Sequence, residues 1–97
     1  MNIRSRKSLV AFWSKHPAAK ASLSAWYDHV AKAEWASPQE VRADFNSADF
    51  VSDSRVIFNV GGNNYRIVAR ISYTFKNLMI KFVGTHKEYN DIDPNTV

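Results

Sequence analysis

Near the end of the chain, Gly84-Thr85-His86-Lys87-Glu88-Tyr89-Asn90-Asp91 brings together an imidazole, an ammonium, a phenol and two carboxylates. Histidine is the side chain that exchanges a proton near neutral pH. Beside a phosphodiester, such a set has a definite use. Cleavage of RNA through its own 2′-hydroxyl needs a base to take the hydroxyl proton and cations to stabilise the charge growing on the phosphate. It also needs an acid to protonate the departing 5′-oxygen. That chemistry requires no metal. His86 is the first candidate for proton transfer, with Tyr89 and Lys87 as alternates that would supply a proton or a hydrogen bond if their pKa were lowered. A histidine after a strand can equally be a capping residue, and a tyrosine a packing residue. The motif therefore takes its meaning from its surroundings.

Those surroundings are basic. The chain of 97 residues carries 13 Lys and Arg against 9 Asp and Glu, a formal net charge of +4. The excess is local. No acid lies between Ser54 and Lys87, a window that holds Arg55, Arg66, Arg70, Lys76, Lys81 and Lys87. A segment of one sign is either a solvated face or a surface for an anionic partner.

Several classes are excluded. There is no cysteine, hence no disulfide scaffold, thiolate metal site or thiol nucleophile. His16, His29 and His86 lack metal-ligand spacing, so neither a metal nor another cofactor is expected. Gly61-Gly62-Asn63-Asn64 is not a phosphate loop, because no Lys-Ser/Thr pair opening a helix follows it. No apolar run reaches the roughly 18 residues of a membrane span. The Leu9–Trp13 run is too short for a signal peptide. Hydrophobic residues at 45% suit a folded globule. The expectation is one cytoplasmic domain over residues 1–97 with no membrane partner.

The elements that must position these residues follow from periodicity. Leu9, Phe12 and Trp13 share one face of a short helix capped by Ser5 or Ser8. A second helix is predicted from Pro17 to Trp35, with Leu23, Trp26, Tyr27, Val30 and Ala31 inward. Ser37-Pro38-Gln39-Glu40 opens a third that ends near Phe45, and 46–53 reads as a polar loop. Three strands alternate: Arg55–Val60, Tyr65–Tyr73 and Leu78–Val83.

A two-residue turn at Gly61-Gly62 would set Phe58 opposite Tyr65. A turn over Thr74–Asn77 would set Ile71 opposite Ile80, Arg70 opposite Lys81 and Arg66 opposite Thr85. With helices covering the apolar face, the other face would expose Arg55, Asn59, Arg66, Arg70 and Lys81. Arg66 and Arg70 would lie about 13 Å apart. As exposed residues, both would tolerate substitution with little loss of stability. Strict alternation would bury His86 beside Tyr65, so Gly84 is expected to break the phase.

The residues from Phe58 to Val68, Phe58-Asn59-Val60-Gly61-Gly62-Asn63-Asn64-Tyr65-Arg66-Ile67-Val68, resemble the FNIxGNxYRLV hairpin of HigB-type toxins of bacterial toxin–antitoxin modules. Lys81-Phe82-Val83-Gly84-Thr85-His86-Lys87-Glu88-Tyr89-Asn90-Asp91 is similar to their xxVxTHxEYD ending, with Asn90 standing where that pattern has its acid. The resemblance implies a RelE-like α+β fold, with N-terminal helices packed on one face of a small antiparallel sheet. It also implies an endoribonuclease that cleaves mRNA, commonly on the ribosome, and a cognate helix-turn-helix antitoxin of the HigA type. On this reading Arg66 and Arg70 bind and polarise phosphate, Lys81 holds the RNA backbone, and Asn59 and Arg55 add RNA contacts. The alternatives are a non-catalytic RNA- or ribosome-binding module using the same face, or an adaptor whose basic face meets an acidic protein.

Overall fold

A computed structural model describes all residues 1–97. The helical half follows its apolar spacing. Helix α1 (Arg6–Lys15) buries Leu9 and Phe12. Ser5 occupies its N-cap position, but its hydroxyl meets the Met79 sulfur at 3.2 Å instead of capping. Pro17 opens a 3₁₀ turn (Pro17–Ala19) that runs into α2 (Lys20–Lys32), which buries Leu23, Trp26 and Val30. Helix α2 stops three residues short of Trp35, with Ala33 already extended. The Met1 ammonium donates to the carbonyls of Val30, Ala31 and Ala33. These are carbonyls that a helix end leaves unpartnered, and a cation suits that end of the dipole. Trp35 instead becomes a separate buried anchor stacked on Phe58. Helix α3 (Pro38–Asp44) starts with Pro38 at its first position, as expected.

The second half forms β3 (Arg55–Val60), β4 (Tyr65–Ser72) and β5 (Asn77–Thr85). Two short strands join them: β1 (Asn2–Arg4) and β2 (Asp49–Val51). The sheet order is β1-β5-β4-β3-β2, antiparallel except for β1 against β5. The α+β class and the one-sided helical layer stand. The sheet is larger than expected and mixed. At three residues each, β1 and β2 are too short to reveal an alternation. A last helix, α4 (His86–Tyr89), follows β5 directly.

The first hairpin differs from the expected register by two residues throughout; the second differs by two from its turn to Ala69 and by one from Val68 on, where Arg66 faces Gly84 and not Thr85. Val60 faces Tyr65 and Phe58 faces Ile67, so the turn spans all four residues Gly61–Asn64. In the second hairpin Ile71 faces Leu78 and Ala69 faces Ile80. A slip of two leaves every side chain on its own face, so the apolar pattern does not choose between these registers. The consequence is electrostatic. Arg70 faces Met79 and, on its other side, Arg55; it does not face Lys81. Asp53 relieves the arginine pair, with one carboxylate oxygen 3.0 Å from each guanidinium.

The first turn makes a testable demand. Gly61, Gly62 and Asn63 all have positive φ, at 65°, 61° and 79°. A Cβ on Gly61 would lie 2.8 Å from the Tyr65 ring, whereas one on Gly62 would meet nothing within 4 Å. Gly62→Ala is expected to cost about 1 kcal/mol of stability from the left-handed backbone alone. Gly61→Ala adds the ring clash and should cost about 2–3 kcal/mol. Urea denaturation of the two variants checks this; equal costs would mean that the Tyr65 ring moves aside freely.

Candidate active site

The site depends on one extra residue in β5. Val68 pairs with Phe82 but its neighbour Ala69 pairs with Ile80, so Lys81 has no opposite number. This bulge turns the phase of the strand. Before it, Leu78 and Ile80 face the helices; after it, Val83 packs on the core and Thr85 pairs with Tyr65. Phe82 and Gly84 then fall on the open face, in register with Val68 and Arg66. His86 follows on that side. The phase does break, as it must for His86 to leave the core, but it breaks at Lys81. Gly84 serves a different purpose: a Cβ there would come within 2.5 Å of the Phe82 ring.

Thr85 ends β5 and caps α4. Its hydroxyl accepts from the Glu88 amide at 3.1 Å, and its own amide donates to the Glu88 carboxylate at 2.8 Å. That amide holds the Glu88 carboxyl below its ordinary range. The reciprocal cap fixes one turn of helix, too short to hold itself otherwise. The Thr-x-x-Glu spacing announces this cap in the sequence, although its value there is easily overlooked beside the histidine.

Arg66 lies at the centre. Its side chain projects from β4 toward α4, and the residue is only 7% exposed. One terminal nitrogen donates to the carbonyls of Asn63 at 2.9 Å and Tyr65 at 3.3 Å. The other lies 2.7 Å from Nδ1 of His86. The guanidinium carbon sits 5.8 Å from the centre of the Tyr89 ring. The His86 amide donates to the Asn64 carbonyl at 3.0 Å. The turn backbone thus fixes both members of the Arg66–His86 pair. Arginine offers donors only, so Nδ1 accepts and the ring proton sits on Nε2. His86 is exposed and Tyr89 half-buried. Burial pushes the Tyr89 phenol above its ordinary value, Asp49 adds to the rise, and Arg66 opposes it. This is the reverse of the lowering expected for a proton donor: the phenol keeps its proton and can donate a hydrogen bond.

Arg66 enters none of the three ion pairs in the protein, which join His29 to Asp44 and Asp53 to Arg55 and Arg70. A buried cation without a carboxylate is costly, and such groups concentrate at functional sites. Residues 19–92 match the family model described as "HigB_toxin, RelE-like toxic component of a toxin-antitoxin system". The chain belongs to the HigB toxin family. It is 35% identical over 92 residues to the mRNA interferase toxin HigB of Escherichia coli K12, covering 93% of this chain and 88% of that protein. The mRNA interferase HigB of Shigella flexneri is similar to the same extent. That of Escherichia coli O6:H1 is 27% identical over 94 residues, 95% of this chain and 91% of its own. Family membership makes the chain the toxic component of a toxin–antitoxin system, and so implies an antitoxin partner.

In this HigB-family toxin the other expected site residues scatter. Lys87 is exposed on α4, and Lys81 is exposed at the bulge. Arg70 is exposed but shares Asp53. Asn59 stands next to Arg66 across the strands, yet its amide donates to the Ser47 carbonyl at 3.1 Å and ties down the chain before β2. Arg55 corrects the reading of the open face most clearly. It is 8% exposed, bound to Asp53 at 3.0 Å and to the Val97 carbonyl at 2.9 Å. Its guanidinium is engaged with groups of the protein itself, not displayed on an open face. The residues that engage it lie outside the acid-free window and fold back over it. No helix is long and apolar enough to cross a membrane.

Proposed function

We propose that this toxin is an mRNA interferase that cleaves mRNA at the cluster of Arg66, His86 and Tyr89 during translation on the ribosome. A helix-turn-helix antitoxin of the HigA type would hold it in check in the cytoplasm. The observation that carries the reading is a nearly buried Arg66 with no acid partner, hydrogen-bonded to an exposed His86. The similar mRNA interferases of Escherichia coli K12 and Shigella flexneri support the same reading.

The scissile phosphate takes donors from Arg66, which releases Nδ1 of His86. His86 then accepts the 2′-hydroxyl proton as the 2′-oxygen bonds to phosphorus. The bond to the 5′-oxygen breaks, and that oxygen takes a proton from Tyr89 or Lys87. Products are a 2′,3′-cyclic phosphate and a 5′-hydroxyl. Positive charge fixed before the reaction stabilises the extra charge on the phosphate oxygens.

Expression without the antitoxin is expected to arrest growth and to produce transcripts ending in cyclic phosphate. Mapping RNA ends after induction tests this. Arrest with intact mRNA would leave a binding module that blocks translation, and normal growth with soluble protein would sink both readings.

A further inference from the structure

The largest cleft lies away from the catalytic cluster, at the other end of β4 and β5. It encloses about 500 Å³ and is lined by polar groups of Ser54, Arg70, Ser72, Tyr73, Thr74 and Asn77. Beyond it stands Phe75, 76% exposed and the one large hydrophobic residue the fold leaves in water. Phe75 is held there: its amide donates to the Ser72 hydroxyl at 3.2 Å, and Lys76 beside it takes a left-handed backbone, φ 56°, to close the turn. The Lys76 ammonium donates to the Trp35 carbonyl at 3.0 Å, so the turn is anchored to the helical layer. An exposed aromatic ring on an anchored turn, beside a cleft that carries hydroxyls, an amide and a guanidinium, has the composition of a single-stranded RNA platform.

The cleft and the catalytic cluster lie on the same face of the sheet. Arg66, Arg70 and Ser72 share one face of β4, and Ser72 lies about 20 Å along the strand from Arg66. Lys81 flanks that line, and Arg4 lies in the same row as Arg70, across Met79. Arg70 spends one donor on Asp53, an exposed pair that a phosphate can displace at little cost.

We propose that this cleft is a second RNA subsite. Phe75 stacks a base and Arg70 holds a backbone phosphate several nucleotides from the scissile bond. The proposal rests on the RNA-cleavage reading and adds the length of strand engaged. The test is fluorescence anisotropy with uncleavable 2′-O-methyl oligonucleotides, a dinucleotide and a decanucleotide.

Phe75→Ala is expected to weaken the decanucleotide about 5- to 20-fold, the scale of one lost base stack, and to leave the dinucleotide and the melting temperature unchanged. Phe75→Trp should restore the affinity. If Phe75→Ala binds the decanucleotide as wild type while Arg66→Met weakens both lengths, the subsite is overturned and RNA recognition at Arg66 stands. If Phe75→Ala instead loses the antitoxin with RNA affinity intact, the surface is a protein interface and the subsite is again overturned. Wild-type protein that binds neither length overturns the subsite and the RNA reading together.

Discussion

His86→Gln is expected to melt like the wild-type protein and to lose RNA cleavage by about a hundred- to ten-thousand-fold, the range for a positioned acid–base group. The stability half follows from exposure. The His86 side chain stands in solvent and its hydrogen-bond partner is Arg66. Exposed substitutions usually stay within about 0.5 kcal/mol. Glutamine keeps an acceptor for the guanidinium, so Arg66 should remain in place. What glutamine lacks is a lone pair that can take up a proton and return it. The variant therefore separates holding Arg66 from moving a proton. Single-turnover cleavage beside a thermal melt reads both. Full cleavage in a stable His86→Gln would move the proton chemistry to Tyr89 or Lys87. A large drop in melting temperature would make His86 a structural residue.

The parts of this site differed in how far the sequence disclosed them. β3, β4 and β5 were legible because alternation persists over six or more residues in each. Their register was not, because a slip of two preserves every face. The phase break before His86 was foreseeable as a need but not as a place. Glycine is the usual mark of a bulge, which points to Gly84, while the bulge falls on Lys81, whose type marks nothing. Alternation also put Arg55 and Arg66 on the same face and treated them alike. It had no means of showing that Asp53 and Val97 fold over one of them. The turn carbonyls of Asn63 and Asn64, which hold Arg66 and His86, belong to the backbone and carry no residue signature. The motif pair that carried the family resemblance nonetheless contains both ends of the Arg66–His86 contact.

Arg55 and Arg66 are expected to respond to the same substitution in opposite ways. Each is buried to a similar degree, and methionine replaces the stem of either without the charge. At Arg55 the guanidinium answers a carboxylate and a carbonyl, so Arg55→Met discards hydrogen bonds to a charged group. That should cost about 1.5–3 kcal/mol or more. Cleavage by the folded variant should be unchanged, since the Arg55 guanidinium is engaged with groups of the protein itself. At Arg66 the terms run against each other. Three hydrogen bonds are lost, but so is the cost of keeping a charge from water with no opposite charge beside it. Exchanging buried charge for well-packed apolar volume is often neutral or stabilising. Arg66→Met is therefore expected within about 1 kcal/mol of wild type in urea denaturation, on either side, for this reason. Its cleavage rate should fall by about a hundred- to a thousand-fold, the scale of one lost donor to a transition-state oxyanion. This departs from the sequence expectation, which reached the same small stability change by treating Arg66 as exposed. Arg66→Lys separates the two explanations. A lysine keeps the charge but cannot bridge two carbonyls and His86 in a plane. For a merely exposed cation, lysine would restore cleavage. For the buried fork seen here, it should remain as slow as methionine. If Arg66→Met unfolds the protein and Arg55→Met abolishes cleavage, the two roles have been assigned the wrong way round.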